Sequence, residues 1–247
     1  MASHVLDGDD MLRIVLRGTL TLPFIIASFP AFAHDAHSHK SSVTGSEGPP
    51  SAYAFPLPAP GSYDLPTIMV AAGGNVLDEK GRTHDLAQLL HNRVTVLAFI
   101  YTRCGDVCPT ASLQISLLQD LATATPEVTN RMQLLTMSFD PDYDTPAVMA
   151  VYARTWRSPK KEAPEWQFLT APDGATLAPL LVAYNQSIGP KPNKTSSPLQ
   201  FYHIFRAFLI DRSGQVRNIY SLDFLDPNLV MTDIKTLLLE EKKAPIK

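Results

Sequence analysis

With 247 residues, 45% hydrophobic and 18% charged, the chain has enough apolar material for one sizeable core and is read as one globular domain with an N-terminal extension. A net charge of -3 and a pI near 6.1, with no basic cluster interleaved with aromatics, exclude the electrostatic footprint of a nucleic-acid partner. Arg13 and Arg17 then precede an apolar stretch from Gly18 to Phe32, closed by Ala31-Phe32-Ala33, which is the pattern of an export signal over residues 1–33. An uncleaved membrane anchor is the alternative, but the stretch falls short of the ~20 residues of a spanning helix and holds Pro23 and Pro30. Either way the folded part is expected outside the cytoplasm, in the periplasm, where thiols tend to oxidise.

Residues 34–63 are rich in His, Ser and Pro and show no hydrophobic periodicity, so they read as a linker to a domain over residues 64–247. Thr67 to Val70 and Asn75 to Leu77 read as short strands, followed by a turn at Asp78-Glu79-Lys80-Gly81 and a short helix capped by Asp85. Val94 to Tyr101 is an unbroken apolar, β-branched and aromatic run, the pattern of a central strand covered on both faces. Leu113, Leu117, Leu118 and Leu121 recur at helical spacing; Met132 to Phe139 returns to strand; Thr145-Pro146 opens a helix to about Trp156. A strand at Trp166 to Leu169 precedes a helix marked by Leu177, Leu180, Leu181 and Tyr184. His203 to Ile210 and Gln215 to Tyr220 read as two strands around Asp211-Arg212-Ser213-Gly214, and Ile234, Leu237 and Leu238 mark a terminal helix. Strands alternating with helices and ending in an antiparallel hairpin predict an α/β domain with a mixed sheet.

Both cysteines of the chain, Cys104 and Cys108, lie in "YTRCGDVCPT", on the loop leaving the C-terminal end of the predicted central strand. Sheets of this class form sites where strands end. Because a residue before proline is disfavoured in helical geometry, Pro109 predicts Cys108 at a helix cap and Cys104 to Val107 as a tight loop before it. The positive end of that helix would favour thiolate. Three uses are open: a structural disulfide, a redox dithiol, or two ligands for a soft metal. A five-residue disulfide loop contributes only roughly 2 kcal/mol. The metal reading requires an imidazole from elsewhere; His84 and His91 flank the early helix as surface residues, and His203 in "FYHIFRAFLID" is the candidate.

The stretches "FIYTRCGDVCPT", "SFDPDYDTPAVMAVYA", "WQFLT" and "FYHIFRAFLIDRSGQVR" together resemble the Sco/SenC family of copper proteins over roughly residues 64–241. The resemblance implies a thioredoxin-like fold with a mixed central sheet, flanking helices and an N-terminal β-hairpin. It further implies one copper ion, Cu(I) or Cu(II), held by Cys104, Cys108 and His203, the histidine standing eight residues before Asp211 as in the family pattern. The implied function is a metallochaperone for the dinuclear copper site of cytochrome c oxidase. Its partners would be the subunit carrying that site and a thiol reductant or other copper carrier. The family pattern has proline where Gly105 stands, and aspartate and serine where Tyr202 and Ile204 flank the histidine. Asp106 matches the family loop and is a candidate for holding the loop or the metal site, with a turn-forming aspartate as the alternative, whereas Asp140, Asp142 and Asp144 read as strand-end and helix-cap residues without a metal role.

Two thiolates and an imidazole suit copper, and three ligands leave the ion exchangeable, unlike a closed four-ligand zinc site. An exported thiol-disulfide oxidoreductase using the same cysteine pair is the second reading, and copper sensing or storage the third. A peroxiredoxin is disfavoured, since its pattern wants proline seven and threonine three residues before the reactive cysteine, where Leu97 and Tyr101 stand. His34, His37 and His39 follow the expected cleavage point and form a candidate auxiliary Cu(II) site, with a solvated linker as the alternative.

Overall fold

The structure, a computed structural model, describes residues 56–190 and 201–243. The predicted export signal and the His34, His37 and His39 cluster lie outside the described residues. In chain order, strands β1 (Met69–Val70), β2 (Asn75–Asp78) and β3 (Thr83–Asp85) lead into helix α1 (Leu86–Leu89) and strand β4 (Val94–Ile100). Helices α2 (Val107–Thr123) and α3 (Pro126–Thr129) precede β5 (Met132–Ser138), α4 (Pro146–Trp156), β6 (Trp166–Thr170) and α5 (Gly174–Ala183). Strands β7 (Ile188–Pro190), β8 (Phe201–His203), β9 (Ala207–Ile210) and β10 (Gln215–Tyr220) are followed by a 3-10 turn at Leu222–Phe224 and helix α6 (Pro227–Lys243).

Among the described residues, eight strands form one sheet in the order β1-β10-β9-β4-β5-β6-β2-β3, and β7 and β8 pair separately as a two-stranded ribbon. β4 runs parallel to β5 and antiparallel to β9, so the sheet is mixed and β4 lies inside it. All seven residues of β4 are buried, which is why its sequence is continuously apolar and does not alternate. Thr95 and Phe99 share one face of β4; Gln133, opposite Thr95, donates to it and to the Leu89 carbonyl of α1, and Phe99 meets Tyr184 at the end of α5 at 5.2 Å between centroids. On the opposite face Trp166 donates to Thr136 Oγ1 (2.9 Å) and Phe168 meets Tyr152 of α4. α2 joins α4 there through Ser112 and Tyr152, whose hydroxyls are 2.8 Å apart.

Local chemistry sets the element ends. Asp85 accepts from the Ala87 amide at 2.9 Å and Thr145 from the Val148 amide at 3.4 Å, each an N-cap bond, with Pro146 at the first position of α4. The β2–β3 hairpin, the predicted N-terminal one, turns at Gly81 (φ 77°), while Asp78 accepts from the amides of Lys80 and Arg82. The β9–β10 turn uses Gly214 (φ 79°).

Two expectations are corrected, and the inward face of α2 is defined. The segment from His203 to Ile210 is not one strand: it breaks at residues 204–206, leaving His203 in the β7–β8 ribbon and Ala207 to Ile210 in the main sheet. Arg206 turns aside within the break to donate to the Asn185 carbonyl at 2.7 Å. On α2 the inward face is Cys108, Ala111, Ser112, Ile115, Leu118, Gln119 and Ala122, whereas Leu113 and Leu117 are exposed. Small and polar residues face in because Ser112 and Gln119 have specific partners there: Gln119 donates to the Pro164 carbonyl and accepts from the Ser158 amide. Finally, α2 begins at Val107, with Asp106 in the cap position and Cys108 already helical. Pro109 is tolerated because in a first turn its missing N–H has no partner to lose and its ring meets no helical carbonyl four residues back.

Candidate metal centre

The cysteine loop leaves β4 and enters α2 within six residues, 101–106. The Cys104 amide donates to the Tyr101 carbonyl (3.2 Å), closing a turn, and the Cys108 amide, in the first turn of α2, donates to Cys104 Sγ at 3.4 Å. Both cysteines are free, and Cys108 is fully buried beneath Cys104 and the turn. The Cys108 thiol, the amides of Cys108 and Asp106, and the Tyr101 hydroxyl all favour negative charge on Cys104 against the opposing effect of burial, lowering its pKa to about 6. The Cys108 thiol is pushed the other way, first by its bond to Cys104 and then by burial. One sulfur is therefore a thiolate at neutral pH and the other its donor.

His203 is brought to this loop by β8. Tyr101, Cys104, Asp106, Val107, Phe201, Tyr202 and His203 line one cavity of about 110 Å³. The imidazole packs against the rings of Phe139 (4.7 Å between centroids), Tyr101 and Phe205 (6.4 Å each). Burial lowers its pKa, with the Phe99 carbonyl acting in the opposite sense, so the ring is neutral at pH 7. Its Nε2 is buried and has no hydrogen-bond partner among the described residues. An acceptor stranded this way carries a desolvation penalty that a ligand would remove. Tyr202 and Ile204, at the positions where the family pattern has polar residues, are 53% and 59% exposed, with Tyr202 on the rim of the same cavity. Aromatic packing and the Phe99 carbonyl orient the imidazole instead.

The structure thus brings Cys104 and Cys108 into contact and sets His203 on the wall of the cavity that Cys104 lines. Among the described residues, no three His, Cys, Asp or Glu side chains stand close enough together to hold a metal ion as placed. The donor types fit a soft ion, and the orphaned Nε2 supplies the nitrogen, but the imidazole has to approach the sulfurs for all three to share one ion. Asp106 lines the cavity with its side chain making no cap bond. His84 pairs with Asp78 at 3.0 Å and His91 is exposed, both away from this cavity.

The acidic stretch after β5 has a part that local reading missed. Asp144 does not cap α4, where Thr145 serves; it is wholly buried and accepts from the Thr102 amide (3.0 Å), the Thr102 hydroxyl and the Ser138 hydroxyl (2.5 Å). Asp140 pairs with Arg103 at 2.5 Å, and the Arg103 guanidinium lies 4.0 Å from the Tyr143 ring centroid. The two residues before Cys104 are thereby clamped to the end of β5. A signal for this exists in the topology: loops leaving the same ends of adjacent parallel strands must be neighbours.

The sequence matches the SCO1/SenC family over residues 75–239. No curated protein matches the chain. Among solved structures, copper-bound ScoI of Bradyrhizobium japonicum is similar at 24% identity and a TM-score of 0.56, covering 68% of this chain and 99% of that one. Copper-bound yeast Sco1 is similar at 18% identity and 0.57, covering 72% and 91%. BsSco, described as a member of the Sco family of cytochrome c oxidase assembly proteins with a disulfide switch, is similar at 18% and 0.56, covering 70% and 96%. At these identities the structural likenesses establish the thioredoxin-like Sco fold. Family membership rests on the sequence match, which spans well over half of the chain: it belongs to the SCO1/SenC family.

Proposed function

We propose that this chain carries one copper ion per molecule and delivers it to the dinuclear copper site of cytochrome c oxidase during assembly of that enzyme, with Cys104, Cys108 and His203 as the ligands. The observation that carries the reading is the buried Nε2 of His203, without a hydrogen-bond partner among the described residues, in a ring that lines the same cavity as Cys104. Family membership and the copper bound in two Sco neighbours support copper as the cargo, and the description of BsSco supports oxidase assembly as the setting. Two thiolates and one imidazole match the softness of Cu(I) and, with an added ligand, accept Cu(II).

The residues have separate tasks. Cys104 offers a thiolate already formed at neutral pH; Cys108 gives up its proton when the ion arrives. His203 is held neutral by burial and offers Nε2 without first losing a proton. Three protein ligands leave the ion short of a closed shell, which favours hand-over to an acceptor. The acceptor would be the copper-site subunit of the oxidase, and a thiol reductant would keep the cysteine pair competent. The domain would work outside the cytoplasm, in the periplasm, following an export signal or attached through it. No described helix is long and apolar enough to cross a membrane.

A thiol-disulfide oxidoreductase is the second reading, favoured by one observation: a depressed Cys104 beside a buried, protonated Cys108 is the division between attacking and resolving thiols. Copper titration of the reduced protein against a competing chelator separates the two. One ion per chain and a substantial loss of affinity in His203→Ala, with the fold intact, are expected. Unchanged affinity in that variant would leave the dithiol alone and favour the oxidoreductase.

A further inference from the structure

Tyr101 touches both halves of the site. Its carbonyl accepts from the Cys104 amide (3.2 Å), and its hydroxyl donates to the Phe201 carbonyl (3.2 Å) in the strand that ends with His203. Its ring packs edge-on against Phe201 at 5.4 Å and lies 6.4 Å from the imidazole. The ribbon formed by β7 and β8 is not hydrogen-bonded into the main sheet. Among the described residues, the Tyr101 hydroxyl makes the one side-chain hydrogen bond that the main chain of this ribbon receives. The residue is 2% exposed, and its bond to Phe201 is part-buried.

We propose that Tyr101 is a positioning residue of the centre: its hydroxyl pins the His203 strand to the end of β4 while its carbonyl holds Cys104, so that one residue sets the separation of sulfur and imidazole. The proposal deepens the copper reading and rests on it for the metal-binding consequence alone; the pinning of the ribbon stands without metal. Tyr101→Phe keeps the ring and removes only the hydroxyl, which takes a donor from the Phe201 carbonyl and its influence from the Cys104 sulfur.

Two measurements test it. In reduced, metal-free protein, amide hydrogen exchange in β7 and β8 should speed by about 2- to 10-fold in Tyr101→Phe, the range expected for losing one buried neutral hydrogen bond, while β4 and β5 keep their protection. Cu(I) affinity should fall further in the otherwise unaltered chain than in the His203→Ala background, where only the hydroxyl's effect on the Cys104 sulfur remains. Unchanged exchange in the ribbon overturns the proposal, and so does an equal affinity loss in both backgrounds. If the unaltered chain takes up no Cu(I), the copper reading fails by itself, and the exchange result still decides whether Tyr101 pins the ribbon.

Discussion

Replacing Asp144 by alanine removes the acceptor that ties the cysteine loop to the neighbouring strand. Three donors lose a wholly buried partner: the amide and hydroxyl of partly buried Thr102 and the hydroxyl of buried Ser138. Each stranded buried group costs about 1–3 kcal/mol; the amide cannot turn away, whereas the two hydroxyls can rotate, so their share lies at the low end. Burial raises the Asp144 pKa even against these donors, which means that removing the anion also recovers part of its desolvation cost. A net loss of about 3 kcal/mol follows, well inside the total stability of about 5–15 kcal/mol expected of a domain, so the variant still folds. Asparagine is expected to cost less than about 1 kcal/mol, because its oxygen can replace Oδ2 towards the amide and Ser138 while its NH2 donates to a rotated Thr102 hydroxyl. Urea unfolding of reduced, metal-free protein measures both, with the midpoint shifting at constant slope. An alanine variant within about 0.5 kcal/mol of the unaltered protein, or an asparagine variant as damaged as alanine, would refute the reasoning.

Alkylation of the reduced protein should modify Cys104 at a rate that rises with pH through about 6 and levels off above it, because its lowered pKa makes thiolate the main form at neutral pH, while buried Cys108 stays slow; a rate still climbing towards pH 9 contradicts this. Oxidation to a Cys104–Cys108 disulfide removes both thiolates, so Cu(I) uptake by a chain beginning at Pro56 should vanish and return with reductant, and equal uptake by the oxidised form would exclude these ligands. Cu(II) titration of exported mature protein against a chain beginning at Pro56 should reveal an additional site involving His34, His37 and His39; equal stoichiometry and affinity reduce that segment to a linker.

Much of the frame was legible because its signals are local. The uninterrupted run at β4, Asp85 and Thr145-Pro146 as caps, and the Gly214 turn each depend on neighbours within a few residues. The helix at α2 is legible from the spacing of its leucines, but its inward face is not, because Ser112 and Gln119 face inward through bonds to residues about 40 positions away. The break after His203 has no proline or glycine to announce it; it arises where Arg206 reaches Asn185 and the chain passes from the ribbon to the main sheet. Cys104, Cys108 and His203 could be selected by residue type and spacing. Asp144 and Tyr101 could not, since their bonds span 42 and 100 residues and exist only once β4, β5 and β8 are assembled.

X-ray absorption at the copper edge of protein loaded under reducing conditions tests the central claim most directly. Two sulfur scatterers and one imidazole nitrogen around a single copper are predicted, with the nitrogen contribution lost in His203→Ala and sulfur lost in Cys104→Ser. A first shell of sulfur alone in the unaltered protein, or an imidazole signal that persists without His203, would contradict it.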